Sequence, residues 1–319
     1  MTKIIDIIRH NGNSKLYSIE IIPPKKGHSI NALYENIENL LEHPPAFINV
    51  TYHQREYLYK PIKAGLIEKI PIRKRPGTVS ICTAIRYKYN IETIPHLICG
   101  GFSKQETEDA LIDLHYVGIK NVFVVRGDAI KGDPYFVPHP EGHRYASELV
   151  EQIMNMNRGI YLEDVVENPQ PTNFSVGVAG YPEKHPESPN LDEDIYYLKR
   201  KVDLGAEYII TQMFFDNRKF FAFVKHCRDA GIDVPIIPGI KVLTHPNHLT
   251  FLPRTFHIDI PEELVKEVRK SRSKSAVRQI GIEWAITQGR ELLRHGIPSL
   301  HFFSMGQTAA IKAVVSALF

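Results

Sequence analysis

Eight short apolar runs, at residues 16–22, 46–52, 94–99, 121–128, 174–181, 208–216, 235–240 and 299–304, recur along the chain, and each ends in a polar or glycine-containing cluster. A strand covered on both faces reads as a continuous apolar run, because neither face meets water. Eight such strands separated by helical stretches predict an α/β protein of the (β/α)8 TIM-barrel class with inserted segments. In that architecture the reacting groups come from the C-terminal strand ends. Those ends carry Glu20, Thr51, His96, Arg126, Asp128, Tyr181, Gln212 and Asp216.

The intervening stretches carry helix signals. Ser103 and Glu106 have capping-box spacing, and Gly118 stands where that helix must stop. Over 190–205, Leu191, Ile195, Leu198 and Val202 share a face, acidic residues fill the first turn, and Lys199, Arg200 and Lys201 sit near the end, as the helix dipole favours. Further helices are predicted over 217–230 and, as one long element, from about 261. Two stretches read as insertions: 73–93, which contains a strand-like run at 78–83, and the polar segment 158–173. Residues 241–263 read as irregular.

A length of 319 residues suits a single barrel domain over 1–319. A net charge of +3 is too small to argue for a nucleic-acid partner, and none is expected; the basic clusters at 72–75 and 268–274 read as solvated faces, with phosphate or polyanion binding as the alternative. The three cysteines have no paired spacing, which fits a reducing compartment and neither a disulfide framework nor a zinc site. Charges interrupt the N-terminal apolar run too early for a signal peptide, and no apolar stretch reaches membrane-spanning length, so a cytoplasmic, non-membrane protein is expected.

Glu20 is flanked by isoleucines at the end of the first run. Apolar surroundings disfavour the carboxylate, so its pKa should rise and suit it to donate a proton near neutrality; an interior salt bridge is the alternative. Arg126 and Asp128 flank Gly127, which reads as an electrostatic pair facing a ligand or as a structural ion pair. Tyr181, His185 and Glu187 share a proline-stiffened loop suited to stacking on a ligand; it lacks the histidine pair of a helical zinc site, and no metal is expected. Gln212 offers a donor and an acceptor that can read the edge of a heterocycle such as a pterin, or satisfy a buried backbone group. No run is followed by the glycine pattern of a dinucleotide-binding turn.

Taken in order, Ser18-Ile-Glu-Ile-Ile-Pro-Pro, Asn49-Val-Thr-Tyr, Pro95-His-Leu, Val125-Arg-Gly-Asp, Tyr145-Ala-Ser-Glu-Leu, Ala179-Gly-Tyr-Pro-Glu-Lys-His-Pro-Glu, Leu198-Lys-Arg-Lys-Val-Asp-Leu-Gly-Ala, Ile210-Thr-Gln-Met-Phe-Phe-Asp and Ile236-Ile-Pro-Gly-Ile resemble the 5,10-methylenetetrahydrofolate reductases. The resemblance runs from about residue 16 to 305 and is closest to the bacterial single-domain type. It implies a barrel that binds FAD non-covalently, takes hydride from NADH or NADPH and reduces methylenetetrahydrofolate to 5-methyltetrahydrofolate in a ping-pong cycle.

Carried onto this chain, the resemblance makes Glu20 the general acid that opens the folate ring, Asp128 the charge facing flavin and folate, and Gln212 the pterin ligand. It places Thr51, Tyr52, His96, Arg126, Gly127, Asp128, Ala146, Tyr181, His185, Asp194, Arg200 and Lys201 along FAD, with Arg200 and Lys201 toward the diphosphate. The chain departs from the family pattern at Tyr197, His248 and Gln307, where Asn, Gln and Arg are usual. The alternatives are another FAD barrel, such as a proline-oxidising dehydrogenase, and a silent flavin- or folate-binding protein. Nicotinamide preference and assembly into a homo-oligomer stay open.

Overall fold

The computed structural model describes residues 2–10, 14–130, 133 and 135–319. In chain order the strands are β1 (Leu16–Ile21), β2 (Phe47–Val50), β3 (Glu56–Pro61), β4 (Ile67–Ile72), β5 (Glu92–Ile98), β6 (Asn121–Val125), β7 (Ser175–Gly180), β8 (Tyr208–Met213), β9 (Ile236–Ile240) and β10 (Ser299–Phe303). The helices are α1 (Ile4–Arg9), α2 (Asn31–Glu38), α3 (Thr78–Tyr89), α4 (Lys104–Tyr116), α5 (Ala146–Met156), α6 (Leu191–Asp203), α7 (Asn217–Asp229), α8 (His248–Phe256), α9 (Glu262–Lys270), α10 (Lys274–Arg294) and α11 (Ala309–Leu318). Eight strands close into a barrel in the order β1-β10-β9-β8-β7-β6-β5-β2, every pair parallel. All eight coincide with the apolar runs of the sequence.

Alternation along the strands separates two environments. Tyr17, Ile19 and Ile21 of β1 point outward into the main core shared with the helices. Inside, α1 plugs the N-terminal end: Ile4 and Ile8 pack against Phe47, Ile94, Phe123, Tyr208, Ile210 and Ile237, and the Ile4 amide donates to Asn121 Oδ1 at 2.8 Å. Closing that end with apolar side chains leaves the polar interior residues Ser18, Asn49, His96 and His301, with Glu20, on the way to the opposite mouth. The barrel interior is filled tightly. A Cβ on Gly177 would lie 2.3 Å from ring atoms of the buried Tyr208, so Gly177→Ala is expected to cost about 1–3 kcal/mol through overpacking, read as a lower urea midpoint with an unchanged slope.

Three expectations need correction, the first being that 241–263 is irregular, since α8 runs through it from His248 to Phe256. Residues 78–83 are not a strand: they begin α3, which buries Thr78, Ile81, Cys82 and Ile85 at helical spacing. Their β-branched composition favours strand locally, and packing against the barrel overrides it. The stretch 73–93 is therefore largely the barrel's own helix, whereas the added element lies just before it, as the antiparallel ribbon of β3 and β4. Nor does one long helix start near 261. The chain breaks between α9 and α10, where Ser273 Oγ accepts the Ala276 amide at 3.1 Å and caps the second helix. The segment 158–173 is irregular as expected, tied back by Leu162 N to Glu108 Oε2 at 2.9 Å.

Candidate active site

β1 turns Glu20 into the barrel mouth, where its side chain is 15% exposed. Burial is the main cause that lifts its pKa to about 8; Asp128 adds to the rise and Lys241 opposes it. At neutral pH Glu20 is therefore a protonated carboxylic acid. Across the interior from β5, His96 Nε2 lies 3.9 Å from Glu20 Oε2 and 3.1 Å from Asn49 Nδ2. Burial pushes His96 down to about 3, so the ring is neutral and the contact is not an ion pair. The backbone of Glu20 is fixed as well: Ser304 Oγ donates to its carbonyl at 2.6 Å.

The second half of the mouth is built from the ends of β6 and β7. Arg126 makes a two-pronged ion pair with Glu187, both contacts 2.6 Å, and lies over the Phe136 ring at 4.8 Å. Its ion partner is thus Glu187 of the β7 loop. Arg126 Nε is buried and has no protein partner. Gly127 has φ +88°, a conformation that turns the chain sharply between Arg126 and Asp128 and that side chains disfavour. Gln54 Nε2 holds the Asp128 carbonyl at 2.6 Å. Tyr181 meets His185 edge to face at 4.9 Å. Asp194 anchors this loop to α6, accepting the His185 amide at 2.9 Å and the Ser188 hydroxyl at 3.3 Å.

The remaining sequence candidates divide. Thr51 Oγ1 donates to the Ile21 carbonyl at 3.3 Å, and Tyr52 accepts from Arg73 at 3.2 Å; both sit at the end of β2. Ala146 is the first residue of α5. Lys201 turns inward from α6, donating to the Ala179 carbonyl of β7 at 3.0 Å, and burial lowers it to about 8. Arg200, its neighbour, faces solvent. Gln212 Oε1 accepts the Met213 amide at 2.9 Å, which leaves its Nε2 as the group available to a ligand. Asp216 caps α7 through the Arg218 amide at 2.9 Å, a structural role. Tyr197 is exposed on α6, and Gln307 Oε1 accepts from Thr244 at 3.5 Å.

Sequence reading missed Lys241 and Asn49. Lys241 stands between Ile240 and Val242 at the end of an apolar run, as Glu20 stands between isoleucines, so its position was legible although its partners were not. Asn49 lies inside a run, where its polar side chain is legible only once strand alternation points it inward.

A parallel eight-stranded barrel with Glu20, Asp128 and the partly unsatisfied guanidinium of Arg126 gathered at its C-terminal mouth has the architecture of a TIM-barrel enzyme, with its polar groups where that fold carries its active site. Residues 3–318 match the family described as MTHFR, Methylenetetrahydrofolate reductase. The chain belongs to that family. It is 32% identical to methylenetetrahydrofolate reductase 1 of Schizosaccharomyces pombe over 95% of this chain and 45% of that protein. It is 29% identical to 5,10-methylenetetrahydrofolate reductase of Escherichia coli over 94% of this chain and 90% of that protein. The chain spans about half the length of the fungal and plant relatives it matches. The fold is shared, at TM-score 0.59 and 16% identity, with an uncharacterized protein from Clostridium thermocellum that binds two copies of 5-methyl-5,6,7,8-tetrahydrofolic acid, the match covering 98% of this chain and 97% of that one.

Proposed function

We propose that the protein reduces 5,10-methylenetetrahydrofolate to 5-methyltetrahydrofolate, using NADH or NADPH and non-covalently bound FAD. The observation that carries this reading is Glu20, a carboxyl group that burial keeps protonated up to about pH 8 at the barrel mouth. Opening the five-membered ring of the folate needs a proton on nitrogen, and a buried acid whose pKa lies near the working pH is suited to give it. Asp128, whose charge reaches Glu20 across the mouth, would stabilise the cationic iminium that ring opening creates. Gln212 would use its Nε2 donor on the pterin.

The residues present fit FAD. Arg126 has a buried N–H without a protein acceptor, and an acceptor on the cofactor would satisfy it. Gly127 brings bare backbone to the same place. Lys201 would act from beneath, by holding the Ala179 carbonyl and adding positive potential, and Tyr181 and His185 offer ring surfaces. The bound cofactor would supply the hydride relay between nicotinamide and folate.

The test is a visible spectrum of the purified protein followed by anaerobic titration. Oxidised flavin should be present, should bleach with reduced nicotinamide, and should return on adding methylenetetrahydrofolate with formation of 5-methyltetrahydrofolate. A protein that stays colourless and takes up no FAD overturns the reading.

A further inference from the structure

Lys241 follows the last residue of β9 and is 6% exposed. A buried ammonium is costly unless its protons find acceptors. Its Nζ donates to the Phe303 carbonyl at 3.0 Å and the Ser304 carbonyl at 3.4 Å. Ser304 in turn holds the Glu20 carbonyl through both its hydroxyl, at 2.6 Å, and its amide, at 3.3 Å. One cation therefore straps together the mouth-facing ends of β9, β10 and β1, and β1 carries Glu20.

We propose that Lys241 is a positioning residue for Glu20: its buried positive charge, held in place by the β10 carbonyls, keeps the Glu20 carboxyl group a strong enough acid to give up its proton to the folate. The proposal rests on the reading of Glu20 as that proton donor.

The groups facing Glu20 come from three directions: Lys241 from β9, Asp128 beyond β6, and the neutral His96 from β5. Burial and Asp128 both make the acid weaker, and only Lys241 opposes them. Among the described residues the lysine makes no close ion pair with Glu20, whose nearest basic side chain within 4 Å is the neutral His96. Its effect is therefore that of a buried charge acting through space in a poorly screened interior. Lys241 in turn is lowered to about 8 by burial, with Glu20 favouring its charged form. Without it, Glu20 would hold its proton more tightly, and proton donation weakens as the acid's pKa climbs above the working pH.

The experiment uses flavin-loaded protein and three variants, Lys241→Met, Lys241→Arg and Glu20→Gln. The titration of Glu20 is followed directly by carbon NMR of carboxyl-labelled glutamate, with its resonance assigned by its loss in Glu20→Gln. In Lys241→Met the Glu20 midpoint should move up by about one pH unit, the order expected for removing a nearby buried charge. Lys241→Arg should restore most of that shift. The basic limb of flavin reoxidation by methylenetetrahydrofolate should follow the midpoint, while reduction by nicotinamide stays unchanged.

If Lys241→Met fails to fold, the comparison of wild type with Lys241→Arg and Lys241→Gln carries the same test. An unmoved Glu20 midpoint in a folded variant overturns the proposal and leaves Lys241 a structural clamp. A midpoint that moves while the kinetic limb stays put instead overturns Glu20 as the proton donor, and so separates the two ideas.

Discussion

Glu20→Gln is expected to slow flavin reoxidation by methylenetetrahydrofolate by roughly 10²–10⁴-fold, the usual contribution of a general acid, and to leave flavin reduction by nicotinamide near its wild-type rate. The amide keeps the shape and the hydrogen-bonding edge of a protonated carboxyl group, so the change removes the transferable proton and little else. Two stopped-flow measurements, one for each half-reaction, check this. Equal slowing of both steps would show that Glu20 shapes the site without donating a proton. The pH dependence has a definite sign. Glu20 has its pKa raised from 4.5 to about 8, so the wild-type folate step should be flat below that value and fall above it. The same shift acts on stability. Between those two values the folded protein holds a proton that the unfolded chain has released, so Glu20 makes the fold progressively less stable as pH rises across that window. Glu20→Gln lacks this penalty and should gain stability relative to wild type toward pH 8.

Arg126→Met is the second large effect expected. It removes the guanidinium whose Nε is buried without a protein acceptor, while keeping an apolar stem in place of the arginine's aliphatic portion. A hydrogen bond to a charged group is worth about 1.5–3 kcal/mol, which corresponds to a roughly 10- to 10²-fold weaker hold on FAD. The fold should survive, because Glu187, the partner left behind, has a side chain 55% exposed and is readily hydrated. The flavin-to-protein ratio after gel filtration, with circular dichroism alongside, measures this. A full complement of flavin with an unchanged dissociation constant would mean that the Arg126–Glu187 pair only fastens the β7 loop.

The sequence determined the barrel because its eight inner strands are buried on both faces, and that demand is written locally as eight apolar runs. It also determined that Glu20 would stand at the end of the first strand; the raised pKa itself comes from burial in the barrel mouth, because the flanking isoleucines point outward into the helix-side core. Helix ends were legible where a side chain closes its own turn, as in the capping box of Ser103 and Glu106.

What escaped the sequence depended on contacts between distant segments. The run 78–83 has strand composition and becomes α3 because Ile81, Cys82 and Ile85 find an apolar surface on the barrel. Arg126 reads as the partner of Asp128, two residues away, yet a stiff turn at Gly127 separates them and the β7 loop supplies Glu187 instead. Lys201 and Arg200 read alike as helix-end cations turned toward the cofactor diphosphate. The helix rotation sends the first inward to a β7 carbonyl and leaves the second in water. Lys241 shows the limit most clearly: its neighbours in sequence are apolar, and its role comes from the β10 carbonyls it grips and the β1 carboxyl group it faces. Periodicity encodes burial, which is local. Pairing of charges across the barrel mouth follows from closure, which only the tertiary structure decides.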